Sequence, residues 1–244
     1  MTFIDDLLRK RKKLHFALID PVSQAPEKAG QMAAACAKAG SDAIMVGGST
    51  VRKREQVYDT VAAIKERVRL PVILFPNSAE AISRNSDYIF FMSLLNSQDA
   101  RFRWEEQHRG APLVKEWGIV PIPMGYIIIS TSKKPTTVER AVKLDRIGPG
   151  DIEKAVHYAI YAEMSGLSCV YFEAGSGAEE PVPVEMIRAV RKAVKVPLIV
   201  GGGIRSGEAA RERADAGADV IVTGTVLEDD CSVIEGIIRE LRGH

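Results

Sequence analysis

The chain has 244 residues, 46% hydrophobic and 27% charged, with 33 Lys and Arg against 32 Asp and Glu. That balance excludes a disordered chain, and a net charge of +1 gives no broad field for nucleic acid. No apolar run reaches the roughly 18 residues of a membrane span.

The opening MTFIDDLLRKRKK places its charges after its apolar residues, the reverse of a signal peptide. Its basic run, Arg9 to Lys13, reads as the solvated face of a leading helix. Short β-branched runs then alternate with helical patterns from end to end. The expected strands are residues 16–20, 43–47, 71–75, 88–94, 119–124, 168–173, 197–200 and 220–223. Most are continuously apolar, as parallel strands covered on both faces are. Helical spacing appears at residues 26–38, 55–67, 152–164, 184–194 and 207–216. Gly40, Gly166 and Gly217 stand where helix C-termini are expected. Residues 76–87 are too few for a strand-to-strand loop and a full helix. Residues 130–150 form a long segment of weak apolar pattern, the kind of loop that is functional or mobile.

Eight strands with intervening helices predict an α/β fold: one closed (β/α)8 TIM-type barrel over residues 1–244 as a single domain. The helix after the third strand is expected to be a short or extended segment. The rival is an open doubly wound sheet, but no Gly-x-Gly-x-x-Gly follows the first strand. Cys36, Cys169 and Cys231 are far apart and odd in number, with neither metal-ligand spacing nor a disulfide framework. A reducing, cytoplasmic setting follows.

Chemistry in such barrels sits at the carboxyl ends of the strands. Asp20 ends the first strand; Gly47, Gly48 and Ser49 end the second. Tyr171, Phe172, Glu173, Ala174, Gly175, Ser176 and Gly177 close the sixth, Gly202 and Gly203 the seventh, Gly224 and Thr225 the eighth. Glycines let several backbone N–H groups converge on a phosphate, and the last two loops are its usual place. Asp20 reads as a metal ligand, a general base or a capped carboxylate. Carboxylate, hydroxyl and phosphate oxygens suit Mg²⁺, while no His or Cys cluster argues for zinc. Glu173 and Tyr171, two apart, share one strand face. Glu173 is then a base for a substrate hydroxyl or a salt-bridged carboxylate. His15 reads as a hydrogen-bonded strand residue. Trp104, Trp117, Phe102 and Tyr126 read as core, rim or interface residues.

These strand-end motifs, in this order, resemble the geranylgeranylglyceryl phosphate synthase family, whose bacterial relatives are heptaprenylglyceryl phosphate synthases. Beside the motifs above, Ser93-Leu94-Leu95-Asn96-Ser97 and Pro123-Met124-Gly125-Tyr126 carry the likeness. It covers essentially the whole chain and is nearer the archaeal branch. The resemblance implies transfer of geranylgeranyl from geranylgeranyl diphosphate to the C3 hydroxyl of sn-glycerol 1-phosphate, with release of diphosphate. It implies Mg²⁺ at Asp20 and Ser49, and glycerol phosphate held by residues 171–177, Gly202, Gly203, Gly224 and Thr225. It makes Glu173 the base and Tyr171 the residue that orients glycerol. It further implies a homo-oligomer, no nucleic acid, no transmembrane segment, and room for peripheral membrane contact. Where bacterial relatives carry a lysine two residues before the metal-site Asp, this chain has Leu18; Lys13 or His15 is the expected substitute cation. Alternatives are prenyl transfer with another chain length, and an isomerase or lyase of phosphorylated sugars. A non-enzymatic phosphate-ligand scaffold is a third.

Overall fold

The computed structural model describes residues 2–229 and 232–243. Cys231 therefore lies outside the described residues. Eight strands, all parallel, close in sequence order: β1 Leu14–Ile19, β2 Ala43–Val46, β3 Val72–Leu74, β4 Tyr88–Leu94, β5 Val120–Ile128, β6 Cys169–Glu173, β7 Leu198–Gly201 and β8 Val220–Thr223. Pairing of Leu14 with Val220 through Ala17 with Thr223 seals the barrel. The expected (β/α)8 class is borne out.

Alternation along each strand divides the apolar residues in two. Phe16, Met45, Ile73, Phe90, Met124 and Tyr171 fill the barrel interior. Ala17, Ile44, Leu74, Ile89, Phe172 and Val200 face the helical layer instead. That layer comprises α2 Pro26–Ala39, α3 Arg54–Arg67, α4 Glu106–Glu116, α5 Thr137–Ala141, α6 Ile152–Met164, α7 Val184–Ala193, α8 Gly207–Ala216, α9 Thr225–Asp229 and α10 Val233–Arg242, after a leading α1 Phe3–Lys10. Helix α1 is capped by a Thr2–Asp5 box and carries Ile4 into the interior cluster, with Phe3, Leu7 and Leu8 packed beside it. Phe3 stacks on Tyr88 at 3.9 Å between centroids. Full burial of Ile4 is worth about 1.5–3 kcal/mol, so α1 is a fixed floor to the barrel. The basic run beyond it is mostly exposed, as expected.

Two segments differ from the sequence reading, and a third follows it. Strand β5 runs four residues past Met124, through Gly125 to Ile128. Its prolines are tolerated because β6 pairs with β5 only from Met124 onward, so Pro121 and Pro123 need no ladder donor on that side. After β3 there is only a 3₁₀ turn, Ala79–Ala81, in place of a helix. This is the expected short segment. After β4 comes an unpredicted π-helical turn, Arg101–Glu105, running into α4. Its charged residues hid it: Glu106 is only 9% exposed because it accepts from Arg101, Arg109 and the Ala79 amide.

Candidate active site

A cavity of ≈ 670 Å³ opens at the carboxyl ends of the strands. Parallel pairing brings Asp20, Ser49, Tyr171, Glu173, Gly175, Ser176, Gly177, Gly202, Gly203, Gly224 and Thr225 to its wall, although they are spread over two hundred residues. Phe172 and Ala174 are not brought there. Both are buried in the outer cluster, since odd and even residues of β6 face opposite ways. The expected binding run 171–177 is therefore split: Tyr171, Glu173, Gly175, Ser176 and Gly177 line the cavity, and Phe172 and Ala174 do not.

Glu173 is 6% exposed. One carboxylate oxygen accepts the Gly175 N–H at 2.7 Å. Burial pushes its pKa above the ordinary carboxylate range, and the neighbouring Tyr171 hydroxyl and Gly175 amide only partly offset that. The Tyr171 hydroxyl lies near Glu173 yet forms no hydrogen bond of good geometry. It is thus a buried hydroxyl at the cavity wall with no hydrogen-bond partner among the described residues. Burial, with Glu173 close by, keeps the Tyr171 and Tyr126 hydroxyls protonated.

The glycines shape this end. Gly202 sits at φ +81°, and a Cβ there would fall 2.4 Å from a Glu173 carboxylate oxygen. A side chain at 202 would therefore both strain the turn and displace the acid. Opposite, the Ser176 and Thr225 hydroxyls lie 3.1 Å apart across the mouth. Together the loops after β6, β7 and β8 form a small polar cradle of backbone and hydroxyl groups.

Asp20 lies one residue beyond β1. It accepts the Val22 N–H at 2.8 Å, while burial raises its carboxyl pKa. Beside it, a Cβ at Gly48 would come within 2.2 Å of the other Asp20 oxygen, so Gly48 keeps that oxygen accessible. Among the described residues no three His, Cys, Asp or Glu side chains gather as a complete metal cage. One carboxylate with a nearby hydroxyl and open space is the donor set Mg²⁺ takes when substrate phosphates and water complete its shell. The residues fit that ion.

Neither expected substitute cation reaches the site. Lys13 donates to the Ala218 carbonyl at 2.7 Å, at the amino-terminal rim, the far end of the barrel. His15 faces outward between Ser41 and Thr223, each 2.9 Å away. Burial, aided by the charge of Arg242, lowers its pKa to about 3. It is the packed strand histidine that the sequence suggested, and it is uncharged.

The other half of the cavity is apolar. Phe75 and Tyr126 meet edge to face at 5.3 Å, and both contact Tyr171, forming an aromatic floor. From there the lining passes over Ile82, Ile89, Phe91 and Phe102 to Gly110. Ile89 belongs to the outer face of β4, so the groove leaves the barrel sideways, over the 3₁₀ turn. Within residues 130–150, Thr137, Val138, Ala141 and Val142 roof the cavity; that segment contains α5. Tyr126 was missed as a site residue because the fifth strand was ended too early.

A closed parallel barrel whose buried acid joins a glycine-lined polar cradle to an apolar groove defines a (β/α)8 enzyme for a two-part ligand, one end polar and the other oily. The chain belongs to the PcrB family, whose model matches residues 5–242. It is 49% identical to the geranylgeranylglyceryl phosphate synthase of Pyrococcus abyssi over 233 residues, covering 96% of this chain and 91% of that one. It is 45% identical over 238 residues to the enzyme of that name from Methanopyrus kandleri, covering 96% and 97%. The crystal structure of (S)-3-O-geranylgeranylglyceryl phosphate synthase from Thermoplasma acidophilum, in complex with its substrate sn-glycerol-1-phosphate, superposes with a TM-score of 0.94 at 38% identity, over the whole of both chains.

Proposed function

We propose that this chain transfers the geranylgeranyl group of geranylgeranyl diphosphate to the C3 hydroxyl of sn-glycerol 1-phosphate, in a Mg²⁺-dependent reaction. The carrying observation is the single cavity that joins the cradle around Glu173 to the apolar groove beyond Phe75. In this reading the loops after β6, β7 and β8 bind the glycerol phosphate and set its hydroxyls against Glu173. Tyr171 donates to one of them and fixes the attacking oxygen. As the glycerol oxygen bonds to the allylic carbon, its proton passes to the Glu173 carboxylate. The carbon–oxygen bond to diphosphate breaks, and the electron pair leaves on the diphosphate oxygen. Asp20 and Ser49 would hold Mg²⁺, whose charge would offset that of the leaving group. The isoprenoid tail lies on Phe75 and Tyr126 and exits over the 3₁₀ turn, where a full helix would block it. The roof over residues 137–142 keeps water from competing for the allylic centre.

The same reading extends to a homo-oligomer, supported by three large outer side chains with more than half their surface exposed: Trp104, Tyr161 and Met164. An isotope-labelled prenyl diphosphate, incubated with sn-glycerol 1-phosphate and Mg²⁺, should yield a labelled ether. Release of label only as the free alcohol, or no dependence on glycerol phosphate, would overturn the assignment.

A further inference from the structure

Three cations line the cavity among the described residues: Arg52, Arg101 and Arg205. Two are already committed. Arg101 donates to the buried Glu106 at 2.7 Å, and Arg205 donates to the Ala178 and Glu179 carbonyls. Arg52 alone of the three has neither a hydrogen-bond nor an ion-pair partner among the described residues. Its neighbours in sequence are spent or misplaced. Arg54 lies over Trp117 at 5.4 Å and reaches the Ala79 carbonyl, while Lys53 does not line the cavity.

The loop that carries Arg52 is held in place. Asn77, just past β3, donates through its side-chain amide to the Ser49 and Val51 carbonyls, each at 3.0 Å. Val51 is buried at 2% exposure and anchors the loop from below. Ser49 and Arg52 thus share one short, pinned loop, with Asp20 against its Gly48. Leu18, Lys13 and His15 bring no cation to Asp20, since Leu18 is apolar, Lys13 is spent on the Ala218 carbonyl and His15 on Ser41 and Thr223. A diphosphate in this place needs positive charge that the strands do not supply. A guanidinium is suited to it, because its planar fork grips two phosphate oxygens at once.

We infer that Arg52 is the diphosphate-binding cation of this site, gripping the leaving group from the β2 loop. The inference rests on the prenyl-transfer reading given above. Arg52 touches the diphosphate and not the glycerol phosphate, whose cradle lies across the mouth on β6 to β8. As the allylic carbon–oxygen bond breaks, the negative charge that collects on the diphosphate oxygen is met by a group already in position.

The test is calorimetric titration of the wild-type enzyme, Arg52→Met and Arg52→Lys with inorganic pyrophosphate, with and without Mg²⁺, and separately with sn-glycerol 1-phosphate. Circular dichroism and melting temperature establish that each variant is folded. Arg52→Met should weaken pyrophosphate binding about 10- to 100-fold, as loss of a charge-assisted hydrogen-bond pair does. The loss should persist without Mg²⁺, glycerol phosphate affinity should change less than about 3-fold, and Arg52→Lys should fall between. The KM for geranylgeranyl diphosphate should rise in the same order. Unchanged pyrophosphate affinity in Arg52→Met, beside an active wild-type enzyme, would overturn the Arg52 assignment alone. Equal losses for both ligands would make its effect a general one and overturn it too. A wild-type protein that binds glycerol phosphate but neither pyrophosphate nor the prenyl diphosphate would instead overturn the prenyl-transfer reading, and this inference with it.

Discussion

Replacing Glu173 by Gln isolates the proton-accepting role of the buried acid. The amide has nearly the same shape, and its carbonyl oxygen can still accept the Gly175 N–H now held at 2.7 Å. Its NH₂ faces the Tyr171 hydroxyl, which lacks a well-formed bond in the wild-type site. Glycerol phosphate affinity should therefore survive within about 3-fold. The chemical step should not. A positioned general base typically contributes about 10²–10⁴-fold. Because bond breaking at the allylic carbon can run ahead of proton transfer, the loss should lie towards the lower half of that range, about 10²–10³-fold, or roughly 2.7–4.1 kcal/mol of barrier. Two further readouts follow from burial. Glu173 titrates above the usual carboxylate range, so the wild-type rate should rise with pH through that raised pKa, and this acid limb should vanish in the variant. A carboxyl whose pKa is raised on folding destabilises the fold at pH values above it, so the variant's melting temperature at pH 7 should not fall. Single-turnover rates with both substrates saturating are the deciding assay. An unchanged rate, combined with much weaker glycerol phosphate binding, would make Glu173 a binding residue and refute its role as base.

Asp20→Asn should reduce turnover to background while circular dichroism and glycerol phosphate affinity stay near wild type; activity within a few-fold of wild type would remove Asp20 from metal binding. Gly202→Val should weaken glycerol phosphate far more than prenyl diphosphate, since the new Cβ meets the Glu173 carboxylate at 2.4 Å in a left-handed turn. Equal weakening of both ligands, with a lowered melting point, would leave the glycine a purely structural role. His15 is held neutral with a pKa near 3 against 6.5 when unfolded. Its contribution is complete above pH 6.5 and is lost as pH falls towards 3, at up to roughly 1.4 kcal/mol per pH unit. Urea unfolding of the wild type and His15→Asn at pH 7.0, 5.5 and 4.5 should therefore show the gap between them shrinking with acid, and a constant gap would sink this account.

How far the sequence discloses this molecule depends on whether a feature is local or assembled. The strands are local: a β-branched run ending in a polar or glycine residue identifies both the element and its carboxyl end, and parallel pairing then carries every such end to one rim. That is why Asp20, Ser49, Glu173 and the glycines at the ends of β6 to β8 can be named together from the sequence. The same local logic, applied strictly, excludes Phe172 and Ala174, since alternation that turns Tyr171 and Glu173 inward turns their neighbours outward. The expected fifth strand ends at Met124, yet β5 continues through Gly125, which marks close packing: a Cβ there would meet Ala162 on α6 at 2.9 Å. Tyr126 fell outside the site for that reason alone. The apolar groove is assembled and has no period. Ile82 follows the 3₁₀ turn, Ile89 lies on the outer face of β4, Phe102 in a π-helical turn and Gly110 in α4. Each is an ordinary core residue in its own segment.

What the sequence did show was the gap: too few residues between β3 and β4 for a helix. The missing helix uncovers the outer face of β4, and apolar surface left bare in this way is unstable in water unless something covers it. Helix α4 covers part of it by tying the buried Glu106 to the Ala79 amide, which fixes the 3₁₀ turn as the groove's edge. The remainder stays open as the cavity itself. In the proposed reading an isoprenoid tail covers that surface, and the polar cradle at the opposite end of the cavity selects the head group that arrives with it.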